Sequence, residues 1–527
     1  HTSEELFYLG ALACHIDNEL SIIRNCSAEG NIEININKAA TNTYYVGGII
    51  GRSPTSKAIS GLVSRVNFTT TGEIFALYLG GCVGSAPYSI LDNCQNYGEI
   101  ALDNVNREVG TFYIGGIASY GTNRVEANIS NQFCHIHDCQ NYGDFRSNGN
   151  NSGFVGQAGS KNTYFENCQN YGEIVVDKNV ERHIGTFYIG AIAGYATNRV
   201  DTNITNVFGN INNCTNYGNI NVGEAGDPAV VHTFALSGGV GRTQWANLTR
   251  LTNEGDITVY AVHYDPFYTK EYTYKADWNA EISGTTNAID YFCVGGLLCF
   301  TQCNIAVGCE NTFLINQGDI YVECDTTATQ LDEGSMRYAD NCGICVGGAV
   351  ASAGANAYNP HYNSCSNMGN VTLKTNKASS EAFLGGVMGK MASNRYTDAY
   401  VFFLNGSSNV GTVSFLTDNP ETVIAHVGGV CGSMIYGELK ADINGGAVSS
   451  QSTHPESTIG AILGTQHVSS IGTACTLEHA VVLEAAAVGG SVNGVKLDES
   501  NFAEYILGGH QSKEVYLKDN AYFNYVP

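Results

Sequence analysis

Two short motifs alternate along most of this chain, and their recurrence limits the fold more than any other feature. The first, N-x-G-x-[I/V], starts at Asn96, Asn141 (with Phe145 in the last place), Asn170, Asn216, Asn253, Asn316, Asn367 and Asn409, with degenerate copies at residues 28–32 and 70–74. The second is an aromatic or apolar residue, then V/I, G, G/A, two variable positions and G. It occupies residues 45–51, 78–84, 112–119, 187–194, 234–241, 293–299, 345–351, 383–389, 426–432 and 458–464, with weaker copies at 8–13 and 154–159. About twelve units of roughly 30 to 60 residues fall in the range of stacked repeat architectures. A single unit cannot bury its apolar face, whereas stacked units bury a continuous core.

Each half-motif reads as a short strand. In Glu99-Ile100-Ala101-Leu102 and Glu173-Ile174-Val175-Val176 the apolar runs are short and rich in β-branched or aliphatic residues, which favours strand over helix. The Asn-Tyr-Gly preceding them reads as a turn, with Gly supplying positive φ. The Gly-Gly pair lets neighbouring backbones approach closely. The expected fold is all-β: an elongated β-solenoid of about twelve glycine-rich repeats with a C-terminal cap. At a strand spacing of about 4.8 Å the array would extend roughly 60 to 115 Å. A propeller fits less well, because unit length varies and each unit holds too few strands for a blade.

The pairing of N-x-x-N-x-G-x-[I/V] with G-G-[I/L/V]-x-G, clearest at Tyr45-Val46-Gly47-Gly48-Ile49-Ile50-Gly51 and Phe383-Leu384-Gly385-Gly386-Val387-Met388-Gly389, resembles the GLUG-type repeats of secreted and cell-surface adhesin-like proteins. It covers roughly residues 8 to 464, with departures such as Gln157 and Ser237. The resemblance implies a β-solenoid-like, extracellular and mostly non-catalytic protein, and it supplies no active-site residues.

The net charge of −24 disfavours nucleic acid, whose phosphates need Lys and Arg, and anionic membranes. No apolar run reaches the length of a membrane span. The chain starts at His1 without a signal peptide, which reads as a processed chain or an excerpt. Eighteen cysteines fall into two groups. Cys26, Cys94, Cys139, Cys168, Cys214 and Cys365 share one repeat position and should stack as buried thiols. Cys293, Cys299, Cys303, Cys309, Cys324, Cys342 and Cys345 read as off-register and are the disulfide candidates of an oxidising compartment. Cys342-Gly343-Ile344-Cys345 has the zinc C-x-x-C spacing but no second pair or His partner. Sequons at Asn25, Asn67, Asn128, Asn150, Asn203, Asn213, Asn247, Asn370 and Asn405 are glycosylation candidates; at Asn25 and Asn213 a structural role fits better.

Two regions are expected: the repeat array over residues 1–465 and, over 466–527, terminal coils with a short helix near 498–507 and an aromatic strand tail. An insertion at 259–290 carries Tyr264, Phe267, Tyr268, Tyr272, Tyr274 and Trp278, a candidate surface for glycans or a partner protein, since insertions in repeat arrays collect on one face. Glu99, Asp144, Glu173, Asp256 and Asp319 follow the motif glycine and should form a row. The ordinary reading is solvated carboxylates; the other is the carboxylate pair of a glycan-cleaving β-helix. An N-terminal His1 with a second His nearby could hold copper, while His135, His137, His232 and His263 show no ligand spacing. No cofactor is indicated. The function expected is a secreted, glycosylated structural or adhesive rod, not an enzyme, that assembles end to end with copies of itself. The alternative is a carbohydrate-binding or carbohydrate-cleaving β-helix.

Overall fold

The computed structural model describes residues 6–17, 21–36, 42–54, 58–74, 76–87, 89–106, 112–120, 134–148, 157–160, 164–178, 186–197, 209–231, 233–244, 246–263, 274–275, 281–282, 292–302, 310–326, 343–355, 361–377, 381–393, 402–434, 437–466, 476–478, 481–484, 491–510, 516–518 and 521–524. Their regular structure is almost entirely strand, and nearly all pairings are parallel, each repeat against the next. The chain divides into two compact units. Unit 1 comprises His1–His183, Phe187–Val231 and Gly238–Asn247; unit 2 comprises Ile184–Thr186, His232–Ser237 and Leu248–Pro527. Among the described residues no helix is long and apolar enough to cross a membrane.

Both units follow one rule: equivalent residues of successive repeats sit side by side. In unit 1 Ile100, Phe145, Ile174 and Ile220 align across neighbouring strands, as do Leu91, Ile136, Phe165 and Ile211. In unit 2 the row Ile257, Ile320, Val371, Val413, Val448 runs beside Val259, Val322, Leu373, Phe415. These side chains are buried, and the residues between them are half-buried or exposed. A period of two therefore places one face of each strand inside.

The motif asparagines form the polar spine of that interior. Asn96 Nδ2 donates to Asn141 Oδ1 at 2.9 Å, Asn141 to Asn170 at 2.8 Å, and Asn170 to Asn216 at 2.8 Å. In unit 2 the ladder runs Asn253, Asn316, Asn367, Asn409, Asn444, with steps of 2.8 to 2.9 Å. The second Nδ2 proton of each goes to the glycine carbonyl two residues on, for example Asn316 to Gly318 at 2.8 Å. A buried amide normally costs stability unless its donors and acceptors are met; here Asn253, Asn316 and Asn409 are fully buried and hydrogen-bonded both along the ladder and within their own repeat.

The turn reading of Asn-Tyr-Gly is corrected by this geometry. Neither the ladder asparagine nor the motif glycine of the regular copies has positive φ. The left-handed residues stand earlier: Asn25, Asn93, Asp138, Asn167 and Asn213, at φ of 49–56°. Gly98, Gly143, Gly172 and Gly218 are required because a Cβ would run into the backbone carbonyl of the preceding repeat. The Gly-Gly pairs fit the expected close approach and show what is approached. A Cβ on Gly81, Gly116, Gly296, Gly348, Gly386 or Gly429 would collide with the ladder asparagine opposite. The two half-motifs thus meet in the core, glycine against asparagine.

Other expectations shift by register. Residues 70–74 are not a copy of the first motif: Ser64 stands beside Asn96, and Phe68 beside Ile100, so the true copy is Ser64 to Phe68. The insertion starts later than residue 259, because Ile257–His263 is a strand in register with Ile320–Thr326. The helix near 498–507 reduces to Phe502–Tyr505, and Gly508 belongs to the strand Leu507–His510, which pairs with Leu463–Gln466. Parallel pairing continues past residue 465 through Thr476–Glu478 against Tyr516–Lys518 and Val481–Glu484 against Ala521–Asn524.

Candidate functional site

The stacked arrangement turns each motif position into a row, so the candidate residues are best placed row by row. The cysteine row is internal for Cys94, Cys139, Cys168, Cys214 and Cys365, as expected, whereas Cys26 is only half-buried; in unit 2 the position of Cys365 is taken by Ser407 and Asp442 in the following repeats. The side chain of one repeat accepts the backbone N–H of its neighbour: Cys94 N–H to Cys139 Sγ at 3.4 Å, Cys365 N–H to Ser407 Oγ at 3.2 Å, Ser407 N–H to Asp442 Oδ1 at 2.8 Å. Burial pushes the Cys365 thiol up to about 12, which keeps it protonated and inert at neutral pH.

No cysteine among the described residues forms a disulfide, contrary to expectation for Cys293, Cys299, Cys324 and Cys345. Cys293 and Cys345 are in fact in register on the Gly-Gly strands. Parallel stacking holds neighbouring Cβ atoms near the strand spacing of about 4.8 Å, beyond the 3.5–4.5 Å a disulfide needs. Cys303, Cys309 and Cys342 lie outside the described residues.

Asp442 is the misfit of this row. Burial holds its carboxyl well above the usual range, with the backbone N–H groups of Ser407 and Lys440 acting in the opposite sense. The folded state therefore binds this proton more tightly than the unfolded chain. The stabilisation is present below the ordinary carboxyl range and is lost as pH rises through the raised value. Asp442→Ser, the residue of the preceding repeat, should be more stable than wild type at neutral pH by on the order of 1 kcal/mol or more. The gap should close towards pH 4, read by denaturant unfolding across pH.

The post-glycine row is a hydrogen-bond relay. Glu99 N–H donates to Asn67 Oδ1 (3.0 Å), Glu173 N–H to Asp144 Oδ1 (2.9 Å), Asp319 N–H to Asp256 Oδ1 (2.8 Å) and Asn370 N–H to Asp319 Oδ1 (2.7 Å). Carboxylates here accept the next repeat's backbone proton, a structural use that the solvated reading missed.

Several sequon asparagines are ladder members too. Asn213 Nδ2 donates to Asn167 Oδ1 at 2.7 Å, Asn67 to Asn31 at 3.2 Å, Asn370 to Asp319 at 3.1 Å and Asn405 to Asn363 at 3.2 Å. Asn25 takes the same left-handed conformation as Asn213, and Asn247 is half-buried on the strand Ala246–Asn253. Asn128, Asn150 and Asn203 lie outside the described residues, as do His1, Tyr264, Phe267, Tyr268, Tyr272 and Trp278. Tyr274 is on a small antiparallel pair, opposite Ile282.

An exposed aromatic row that the sequence reading did not single out lies on unit 1. Tyr97, Tyr142, Tyr171 and Tyr217 stack with centroids 4.7 to 4.8 Å apart and planes within 8°. The faces between neighbouring rings are covered by one another, and Arg65 lies over Tyr97 at 5.1 Å. The hydroxyls of Tyr97, Tyr142 and Tyr171 donate to Gln95, Gln140 and Gln169. Sugar recognition by aromatics uses an open ring face; this row presents ring edges.

The densest chemistry lies on strands Ile90–Asp92, His135–His137 and Tyr164–Glu166. Register places Asp92 beside His137 and His137 beside Glu166. His137 Nδ1 is 3.4 Å from Asp92 Oδ1 and 3.2 Å from Asp138 Oδ2; His135 Nε2 is 3.7 Å from Glu166 Oε2. The two imidazole centroids are 4.6 Å apart. Hydrogen bonds from His137 and Asn167 hold the Asp138 carboxyl below its usual range. Burial, then the neighbouring His137, lowers the His135 imidazole. The sequence reading set these histidines aside because their partners stand one repeat away rather than one helical or strand step. No protein-family model, no curated protein and no solved structure matches the chain.

Proposed function

We propose that this chain is a β-solenoid of the GLUG-type repeat class with a non-catalytic, structural or adhesive role outside the cell, and that copies assemble end to end. The interior supports a scaffold: its motif asparagines are committed to ladders between repeats, and its motif glycines serve close packing. The observation that carries assembly is the exposed apolar strand Leu6–Gly10. Leu9 is 42 % exposed, whereas Val46, its in-register neighbour in the next repeat, is 3 % exposed. Leu6, Phe7, Leu12 and Ile22 are likewise exposed, Leu12 at 56 % and Ile22 at 68 %.

Leu9 and Leu12 align with the buried Val46 and Ile49 of the next repeat, and on their other side no described strand covers them. Among the described residues, strand Leu6–Gly10 pairs only with Thr43–Gly47, and Ala13–His15 only with Ile50–Arg52. An open parallel edge with apolar side chains is a template for another strand. The occupant we assign is a second copy of this chain, whose repeats carry the same period and spacing. Leu9→Asp with Leu12→Asp should abolish concentration-dependent assembly in sedimentation velocity while leaving the circular dichroism unchanged. Wild type that sediments as a monomer at all concentrations would overturn the assembly reading.

A further inference from the structure

We propose that Asp92, His137 and Asp138 form a site for a single divalent transition-metal ion on unit 1, with His135 and Glu166 flanking it. This goes beyond the scaffold reading and stands or falls independently of it. One ligand atom from each of Asp92, His137 and Asp138 lies within 4.8 Å of the other two. Donors about 2.1 Å from an ion at tetrahedral angles are about 3.4 Å apart. The two measured separations from His137 Nδ1, 3.4 and 3.2 Å, match that spacing.

The same nitrogen faces both carboxylates. A neutral imidazole can direct an Nδ1 proton at one acceptor only, whereas an ion bound by the Nδ1 lone pair meets both oxygens at once. An imidazole with two carboxylates suits zinc, manganese, cobalt or nickel better than calcium, whose sites are built from oxygen. Half-exposure of Asp92 and His137 leaves room for water to complete the coordination.

The surroundings are organised as an outer shell. Asn167 Nδ2 donates to the second oxygen of Asp138 at 3.0 Å, and Asn213 Nδ2 donates to Asn167 Oδ1 at 2.7 Å. Such bonds fix the orientation of a ligating carboxylate. Asp138 occupies the left-handed position held by asparagine in Asn25, Asn93, Asn167 and Asn213. A carboxylate cannot donate onward as those amides can, so it ends the amide ladder and turns an oxygen to His137 instead. The change of residue type falls in the repeat that also brings His137.

The test titrates Zn²⁺ into the full chain by calorimetry, using wild type, Asp138→Asn and His137→Gln. Asp138→Asn installs the residue its neighbouring repeats already carry, so the fold is retained; unfolding without metal verifies this. The expected result is one ion bound by wild type and at least tenfold weaker binding in both variants. Co²⁺ should give a spectrum of nitrogen and oxygen ligation in wild type that both variants lose. Equal Zn²⁺ affinity in the three proteins, or a thiolate cobalt spectrum insensitive to the variants, would overturn the site.

Discussion

Asn316→Ala is expected to remove roughly 3 kcal/mol or more from the unfolding free energy of unit 2. Asn316 donates to Asn367 Oδ1 and to Gly318 O and accepts from Asn253 Nδ2, each at 2.8 Å. Truncation leaves three partner groups without their bond in an interior where Asn253 and Asn367 are essentially sealed from solvent. Each such buried, unmet group costs about 1–3 kcal/mol. Asn316→Asp should be at least as damaging despite equal size. It replaces the amide NH2 and its two donors by one acceptor oxygen that faces both Gly318 O and Asn367 Oδ1. Met368→Ala, at the exposed neighbouring position, should stay within about 0.5 kcal/mol of wild type. Equilibrium denaturation of the three variants gives the comparison; a loss in Asn316→Ala no larger than in Met368→Ala would remove the ladder from the account.

Gly386→Ala should destabilise unit 2 by about 3 kcal/mol, the upper end of ordinary overpacking. Its added methyl would meet Gly429 O together with Cγ and Nδ2 of Asn409. Neither can withdraw locally: Gly386 N–H is bonded to Gly428 O at 3.1 Å, and Asn409 is held by Asn367 and Asn444. The comparison is Gly494→Ala. Gly494 has φ of +76° and open space around its missing Cβ, so the variant should lose only about 1 kcal/mol for the left-handed conformation. Destabilisation in the reverse order would mean that backbone conformation, not close approach, selects glycine in the Gly-Gly pairs.

The repeat, the strand character and the buried cysteine row were legible because each is a local pattern recurring at the same motif position. Strand alternation in Ile257–His263 needs only its own seven residues. What the sequence hid depends on register between repeats. Asn-x-Gly looks the same whether its glycine serves a positive φ or a close approach; only the neighbouring repeat's carbonyl decides. Ser64 replaces the ladder asparagine in its repeat, and Val66 the glycine, which left residues 70–74 as the better-looking but wrong match. Asn444 was passed over, although its repeat continues the ladder. Asp92 and His137 stand 45 residues apart, a full repeat, so no ligand spacing known from helices or strands could pair them.

The resemblance to GLUG-type repeats carries its expectations of extracellular placement and adhesion into the proposal, and those rest on the motifs quoted above. The internal ladders and the exposed apolar strand Leu6–Gly10 are independent of it.

Electron microscopy of the native protein, purified without denaturant and imaged over a range of concentrations, tests the central claim most directly. The account predicts filaments whose axial repeat equals the length of one chain, lost in the Leu9→Asp, Leu12→Asp variant. Single particles of one chain at every concentration, identical in wild type and variant, would contradict it.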